Sequence, residues 1–149
     1  MNNLFVRDDV SRIYNRMDDL TVSSDHVWGI MDVDQMLAHC SAALEVANGK
    51  AFPPRRLVGY LFGWLSKSIF TNNKPLPKNM STDKSWKIVD HRNFIKEKER
   101  LESEIDAFYT GGEEHVTKHP HPFYGVLTPM EWSVGMWKHL DHHLRQFDV

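Results

Sequence analysis

Apolar residues recur along this chain at spacings of three and four, not two. Val10, Ile13, Met17 and Leu20 form the first series and predict a helix over residues 6–20. A turn over 21–31 contains Gly29. Asp32 or Asp34 can then cap a second helix, 33–48, with Met36, Cys40, Ala43, Leu44 and Ala47 as its stripe and Gly49 at its end. The paired prolines of AFPPRR break the chain. The segment 57–70, LVGYLFGWLSKSIF, reads either as strand or as a buried helix. Its length and the spacing of Leu57, Leu61, Trp64, Leu65 and Ile69 favour a helix, although Gly59 and Gly63 weaken that assignment unless they permit close packing. A long connection, 71–87, comes next. Phe94, Leu101, Ile105 and Phe108 line a helix over 89–109, which is expected to end before Gly111-Gly112. A second long connection occupies 111–127. Thr128 as N-cap, Pro129 at the first helical position and Glu131 three residues after the cap open a last helix, which should run to about Phe147.

No stretch alternates at period two for long enough to build a sheet. The expected architecture is all-α: four long helices, an additional short one and two long connections. A length of 149 residues fits one domain, 1–149.

Composition narrows the function classes. With 41% hydrophobic and 26% charged residues the chain is globular in character, not disordered. A net charge of -2, from 18 basic and 20 acidic residues, leaves no basic face for nucleic acid; Arg55-Arg56 is an isolated pair. No run of apolar residues is long enough to span a membrane, and the first residues lack the apolar core of a signal peptide. The single cysteine, Cys40, excludes an internal disulfide framework and suits a reducing compartment, so the cytoplasm is the expected location.

Histidine changes the picture more than any other residue, with nine in the chain and three within HLDHH. His139 and His143 are four apart and stack on one helix face. Trp132, Met136 and Phe147 share that face, so the pair points inward. Buried polar groups need partners. His39 lies between Met36 and Ala43 on the apolar side of the second helix and offers a third ligand. Ligands projecting from facing helices are a normal device of bundles. Three imidazoles around one divalent ion leave an open position, and this donor set suits zinc or nickel better than magnesium or calcium. The competing explanation is ordinary: a histidine pair at this spacing also occurs on surfaces and in packed cores.

Other residues are less telling. His142 faces away from His139, on the surface or behind the ligands. Gln146, one turn beyond His143, is better placed than Asp141 to hold a ligand's second nitrogen. His91 fits either the site or helix-start packing. His115, His119 and His121 read as loop residues before they read as an entrance. Trp28, Trp64, Trp86, Trp132 and Trp137 read as core and pocket wall, because no basic groove accompanies them. Cys40 points about a third of a turn from His39, a poor place for a catalytic thiol.

The second-helix segment DVDQMLAHC and the C-terminal HPFYGVLTPMEWSVGMWKHLDHHLRQF resemble the DinB/YfiT-like metalloenzyme superfamily, and in particular a bacterial subfamily of it. The likeness covers nearly the whole chain in helix order and spacing, and the C-terminal segment is its most specific part. It implies a four-helix bundle with an up-down-down-up arrangement. It implies one metal ligand from the second helix, His39, and two from the last, His139 and His143. Gln146 matches a glutamine frequent in the group three residues after the last ligand. An arginine frequent directly after that ligand is replaced by Leu144, with Arg145 one position later. Some relatives are transferases or isomerases that use low-molecular-weight thiols, and dimers are common. A small-molecule substrate, a thiol among the candidates, and a homodimer are therefore what the resemblance implies.

The residues themselves constrain mechanism less. Water activation usually wants a general base nearby. Asp141 sits off the ligand face and Glu131 two turns before His139, and no H-E-x-x-H arrangement exists. A thiol-dependent transferase is thus favoured mildly over a metal-dependent hydrolase. A non-catalytic, metal-stabilised dimerising module is the rival from outside enzymology.

Overall fold

The computed structural model of the chain describes residues 1–79 and 88–149. Among these residues it consists of five helices: α1 (Arg7–Asp18), α2 (Val33–Ala47), α3 (Leu57–Thr71), α4 (Phe94–His115) and α5 (Pro129–Gln146). Bonds between helices reveal their directions. Asp9 of α1 meets Trp137 of α5, and Arg16 meets Asp141, so these two run parallel. Tyr14 bonds Asp106 and Lys98 bonds Asp18, so α4 runs against α1. Asp34 at the start of α2 accepts from the backbone of Arg92, and Glu45 near its end pairs with Arg100, so α2 runs along α4. Helices α1, α2, α4 and α5 therefore form the expected up-down-down-up bundle, and α3 is the additional helix.

Local chemistry explains the helix ends. The Asp32 N–H donates to the Gln35 side chain at 3.0 Å, starting α2. Gly49, at φ 69°, lets the chain turn out of it. The Thr128–Glu131 capping box closes reciprocally, with bonds of 2.8 and 3.2 Å, and Pro129 takes the first turn of α5.

The core lies between the four bundle helices. Ile13 and Met17 from α1, Leu37 and Leu44 from α2, Ile105 and Phe108 from α4, and Leu140 and Leu144 from α5 are all fully buried. Each contributes about 1.5–3 kcal/mol relative to exposure. Glu104 is buried among them but is satisfied by Lys50 and Asn48, each at 2.7 Å.

Two expectations need correction. Helix α4 starts at Phe94 rather than 89, and it does not end before Gly111-Gly112. Its axis breaks at Gly112 (φ 63°, ψ -167°), and helical turns resume as far as His115. Glycine does interrupt the helix, but the hydrogen-bonded turn re-forms beyond it. The second correction concerns α3, which is a helix but not a buried one. Its apolar stripe faces out: Leu57 is 82% exposed, Leu61 66% and Trp64 70%, with Leu65 and Ile69 also exposed. The buried positions are Gly59, Gly63 and Phe70. A Cβ at Gly59 would lie 2.7 Å from the Phe123 carbonyl oxygen, so both glycines permit the backbone of 122–124 to approach. Close packing occurs, as the glycines suggested, but against a loop.

Helix α3 packs against α5 alone among the helices. The Phe70 ring sits directly against Gly135, where any side chain would collide with it. Lys138 of α5 is buried, donates to the Ile69 carbonyl and the Asn72 side chain, and so caps the C-terminal end of α3. Lys67 pairs with Glu131 at 2.8 Å.

Candidate metal centre

The periodicity that builds the core also assembles the histidines. On α5, Trp132, Met136 and His143 are buried on one face, and Phe147 at its C-terminal cap is buried as well. On α2, His39 is flanked by Met36 and Ala43, both buried. Since α5 runs against α2, this brings His39 level with His139 and His143. The three ring centroids form a nearly equilateral triangle, with sides of 4.9, 4.8 and 4.7 Å. One nitrogen from each ring lies within 4.8 Å of the others, a cluster able to hold a divalent ion. His39 Nε2 and His139 Nε2 are 3.0 Å apart. Two nitrogens at about 2.0–2.1 Å from a tetrahedral zinc would stand roughly 3.4 Å apart, close to what is seen.

The ring orientation at His143 is set from outside. The Gln146 amide nitrogen donates to the Trp28 carbonyl at 2.8 Å, so its oxygen must face His143. That oxygen accepts from His143 Nδ1 at 2.9 Å. Nδ1 therefore bears the proton, and the lone pair on Nε2 points to the cluster. Gly29, at φ 88°, makes this possible, because a Cβ there would collide with the Gln146 amide nitrogen. The turn containing Gly29 is thus part of the site's support.

Burial keeps the rings of His139 and His143 neutral. Burial, then the neighbouring His39, hold His143 down to about 3. Burial first, then His143 and His39, hold His139 well below the usual histidine range. Of the three, His39 is 3% and His143 7% exposed, and His139 is half-buried. Three converging imidazoles cannot all be satisfied by one another, because a shared proton serves only two nitrogens. A divalent cation serves all three without requiring any ring to charge. The donor set fits such an ion.

Among the described residues no carboxylate or thiol joins the cluster. Asp141 is committed to Arg16 at 2.8 Å, and Arg145 also pairs with it. Glu131 is held by Lys67 and by its own cap. Cys40 is fully buried, its thiol pushed up by burial, with its sulfur 3.8 Å from that of Met36. His142 packs behind His143 with its ring against Trp28, and His142 and Trp28 line a cleft of about 50 Å³ with Leu76, Lys78 and Arg145.

The remaining histidines divide. His91 is exposed ahead of α4, outside both the site and the helix start. His115 is exposed and contacts the Gly111 carbonyl, and His119 contacts the Pro53 carbonyl at 3.0 Å. His121 is not a plain loop residue. It is buried against Trp132, Tyr124 and Phe70, and burial holds it down to about 3. Its Nδ1 accepts the backbone N–H groups of Phe123 and Tyr124, and its own backbone pairs with Gly125. The turn signature HPFYG was the available signal for it. Of the tryptophans, Trp132 is core, Trp28 lines the cleft, Trp137 is half-buried and donates to the Asp9 carbonyl, and Trp64 is exposed, contrary to expectation. Trp86 lies outside the described residues.

A family model described as "Protein of unknown function (DUF1569)" matches residues 8–149, nearly the entire chain, and the chain belongs to that family. No curated protein and no solved structure matches it. The all-α bundle with its three-histidine cluster is consistent with a DinB/YfiT-like metal-binding fold.

Proposed function

We propose that this DUF1569 chain is a single-domain, cytoplasmic member of the DinB/YfiT-like group that holds one divalent ion, zinc or nickel, on His39, His139 and His143. We read it as a thiol-dependent transferase acting on a small molecule. The observation that supports this reading is the convergence of three imidazoles, of which burial keeps His139 and His143 uncharged, with no carboxylate among them in the described residues. When bound, an ion with three neutral ligands supplies undiminished Lewis acidity, which lowers the pKa of a thiol or water.

The chain's own residues favour the thiol. Water loses its proton reluctantly and usually needs a base within hydrogen-bond reach. Asp141 and Glu131 are both committed to cations elsewhere. A thiol, with an ordinary pKa of about 8.5, ionises near neutrality without such help. Gln146 keeps His143 in the ligating tautomer, and His121, neutral and buried beside Trp132, adds no charge of its own. A metal-dependent hydrolase is disfavoured on the same ground.

Burial of His39 and His143 supports a second reading, in which the ion is structural and the chain is a non-catalytic, dimerising module. Metal analysis of untagged protein tests the site itself. One equivalent of metal is expected, lost in both His39→Ala and His143→Ala; unchanged content in both variants would show that the ligand assignment is wrong. Cobalt substitution separates the two readings. A small thiol is expected to shift the visible spectrum of the cobalt form. A spectrum that no thiol alters, with melting that collapses when metal is removed, would favour the structural ion.

A further inference from the structure

Helix α3 presents the largest mismatch between side-chain chemistry and surroundings in the described residues. Its 15 residues contain one charged side chain, Lys67, and no acid. Yet Leu57, Leu61, Leu65, Phe62, Tyr60 and Trp64 are each more than half exposed. Val58 and Ile69 extend the face at both ends. With about 150–250 Å² per aromatic ring, these eight side chains leave on the order of 800 Å² of mostly apolar surface in water. The largest apolar patch on a monomer is typically about 300–600 Å². A standard interface covers about 800 Å² on each partner.

We infer that this face is the contact between two copies of the chain, paired antiparallel through α3 about a twofold axis near Leu61 and Leu65. Three observations favour a second copy as the occupant. The exposed apolar area is of the order that one partner contributes to a stable dimer. The stripe is self-complementary: Leu61 and Leu65 sit at the middle of the helix, so antiparallel copies oppose leucine to leucine, with Phe62 and Trp64 flanking on opposite sides. Charge also stays off the centre of the face. Lys67 is spent on Glu131 and on the Val126 carbonyl, and the Arg55 guanidinium lies over the Tyr60 ring on the flank of the helix. Antiparallel pairing sets the two helix dipoles in opposition.

A lipid surface fits less well. Helices that lie in a membrane interface carry free lysines or arginines on the side opposite the apolar one. In α3 that opposite side is Gly59 and Gly63 packed on protein. The inference is independent of the metal reading, because no residue of the face lies in the histidine cluster.

The test uses the full chain as purified, with its metal content measured throughout. Sedimentation equilibrium over a range of concentrations is expected to show a dimer. Leu61→Glu and Leu65→Lys, both at exposed positions, are each expected to raise the dimer dissociation constant at least about tenfold, with helix content retained and, at saturating ion, metal content retained. Mixing the two variants is expected to restore a heterodimer, because the carboxylate introduced at position 61 of one copy then faces the ammonium introduced at position 65 of the other. A wild-type chain that is monomeric throughout overturns the inference, as does dimerisation that survives both substitutions. Loss in each variant with no recovery on mixing overturns the antiparallel arrangement. Co-sedimentation of a monomeric wild-type chain with phosphatidylcholine–phosphatidylserine vesicles, abolished by Leu61→Glu, would identify a lipid surface instead.

Discussion

Helices α5 and α3 lie side by side and depart from the ordinary inside–outside rule in opposite directions. Helix α5 buries Lys138, His143 and Gln146, all polar, and exposes little that is apolar. Helix α3 buries two glycines and one phenylalanine and leaves its leucines and aromatic rings in water. On α5 the cost of burying polar groups is offset residue by residue. Lys138 donates to a helix end, and Gln146 bridges His143 and Trp28. On α3 the exposed surface is offset by nothing among the described residues. The lesson is that two neighbouring helices can break the same rule for different reasons: partners within the fold satisfy the polar groups of α5, whereas no described residue covers the apolar ones of α3.

The largest expected effect lies on the α5 side and needs no mutation. In the metal-free chain, burial holds His143 and His121 down to about 3, against 6.5 for an unperturbed histidine. The unfolded chain therefore takes up protons first as pH falls. The stability that depends on these neutral rings is complete above about pH 6.5 and is lost progressively as pH falls toward about 3. Urea midpoints of the metal-free chain should decline steadily across that window. Midpoints that stay flat would mean that the rings are not buried as described.

The joint between the two helices comes next. A side chain at Gly135 would displace the Phe70 ring. Gly135→Ala should destabilise by about 1–3 kcal/mol, as overpacking does, and it should loosen α3 more than the bundle. Hydrogen exchange read by mass spectrometry would resolve this as faster exchange in 57–71 than in 33–47. Equal acceleration in both segments would show that α3 and the bundle unfold as one unit.

Gln146→Leu probes the polar logic of α5 alone. It removes the acceptor that fixes the His143 tautomer, and loss of such a supporting bond typically costs about 10–100-fold in metal affinity. Competition with a chromophoric chelator would measure it. Affinity within about twofold of wild type would remove Gln146 from the site's support. The smallest effect belongs to Trp132, whose indole N–H is buried without an acceptor among the described residues. Trp132→Phe removes that unsatisfied donor, worth about 1–3 kcal/mol, while opening a small void. The two nearly cancel, so the melting temperature should change little. A large drop would mean that the indole makes a bond essential to the aromatic cluster around His121.

Much of α5 could be read directly from the sequence. Thr128, Pro129 and Glu131 are local signals, and the series 132, 136, 139, 143, 147 needs only the helical period to become one inward face. His39 followed from the same period on α2. The parts that were not legible depend on distant chain. The stripe of α3 says that it has an apolar side, but which side is buried depends on Gly59 and Gly63 meeting the 122–124 backbone, some sixty residues later. His121 was hidden for a similar reason: its burial comes from Phe70 and Trp132, on two separate helices. The extension of α4 past Gly112 also escaped, since a glycine signals the interruption of a helix but not its resumption.

Lys138 and His139 are adjacent on the same rod, yet one clamps the end of α3 and the other faces His39. Any force or constraint applied to α3 therefore reaches the ligand-bearing helix one residue from the histidine cluster. Thermodynamic linkage makes the influence mutual: if joining a second copy tightens ion binding, ion binding strengthens the joining by the same factor. Such a chain would behave as a two-input AND gate, with scarcity of either metal or protein lowering the occupancy of both. Dimer dissociation constants measured with and without the ion report that factor directly, and a ratio of one would show the two inputs to be uncoupled.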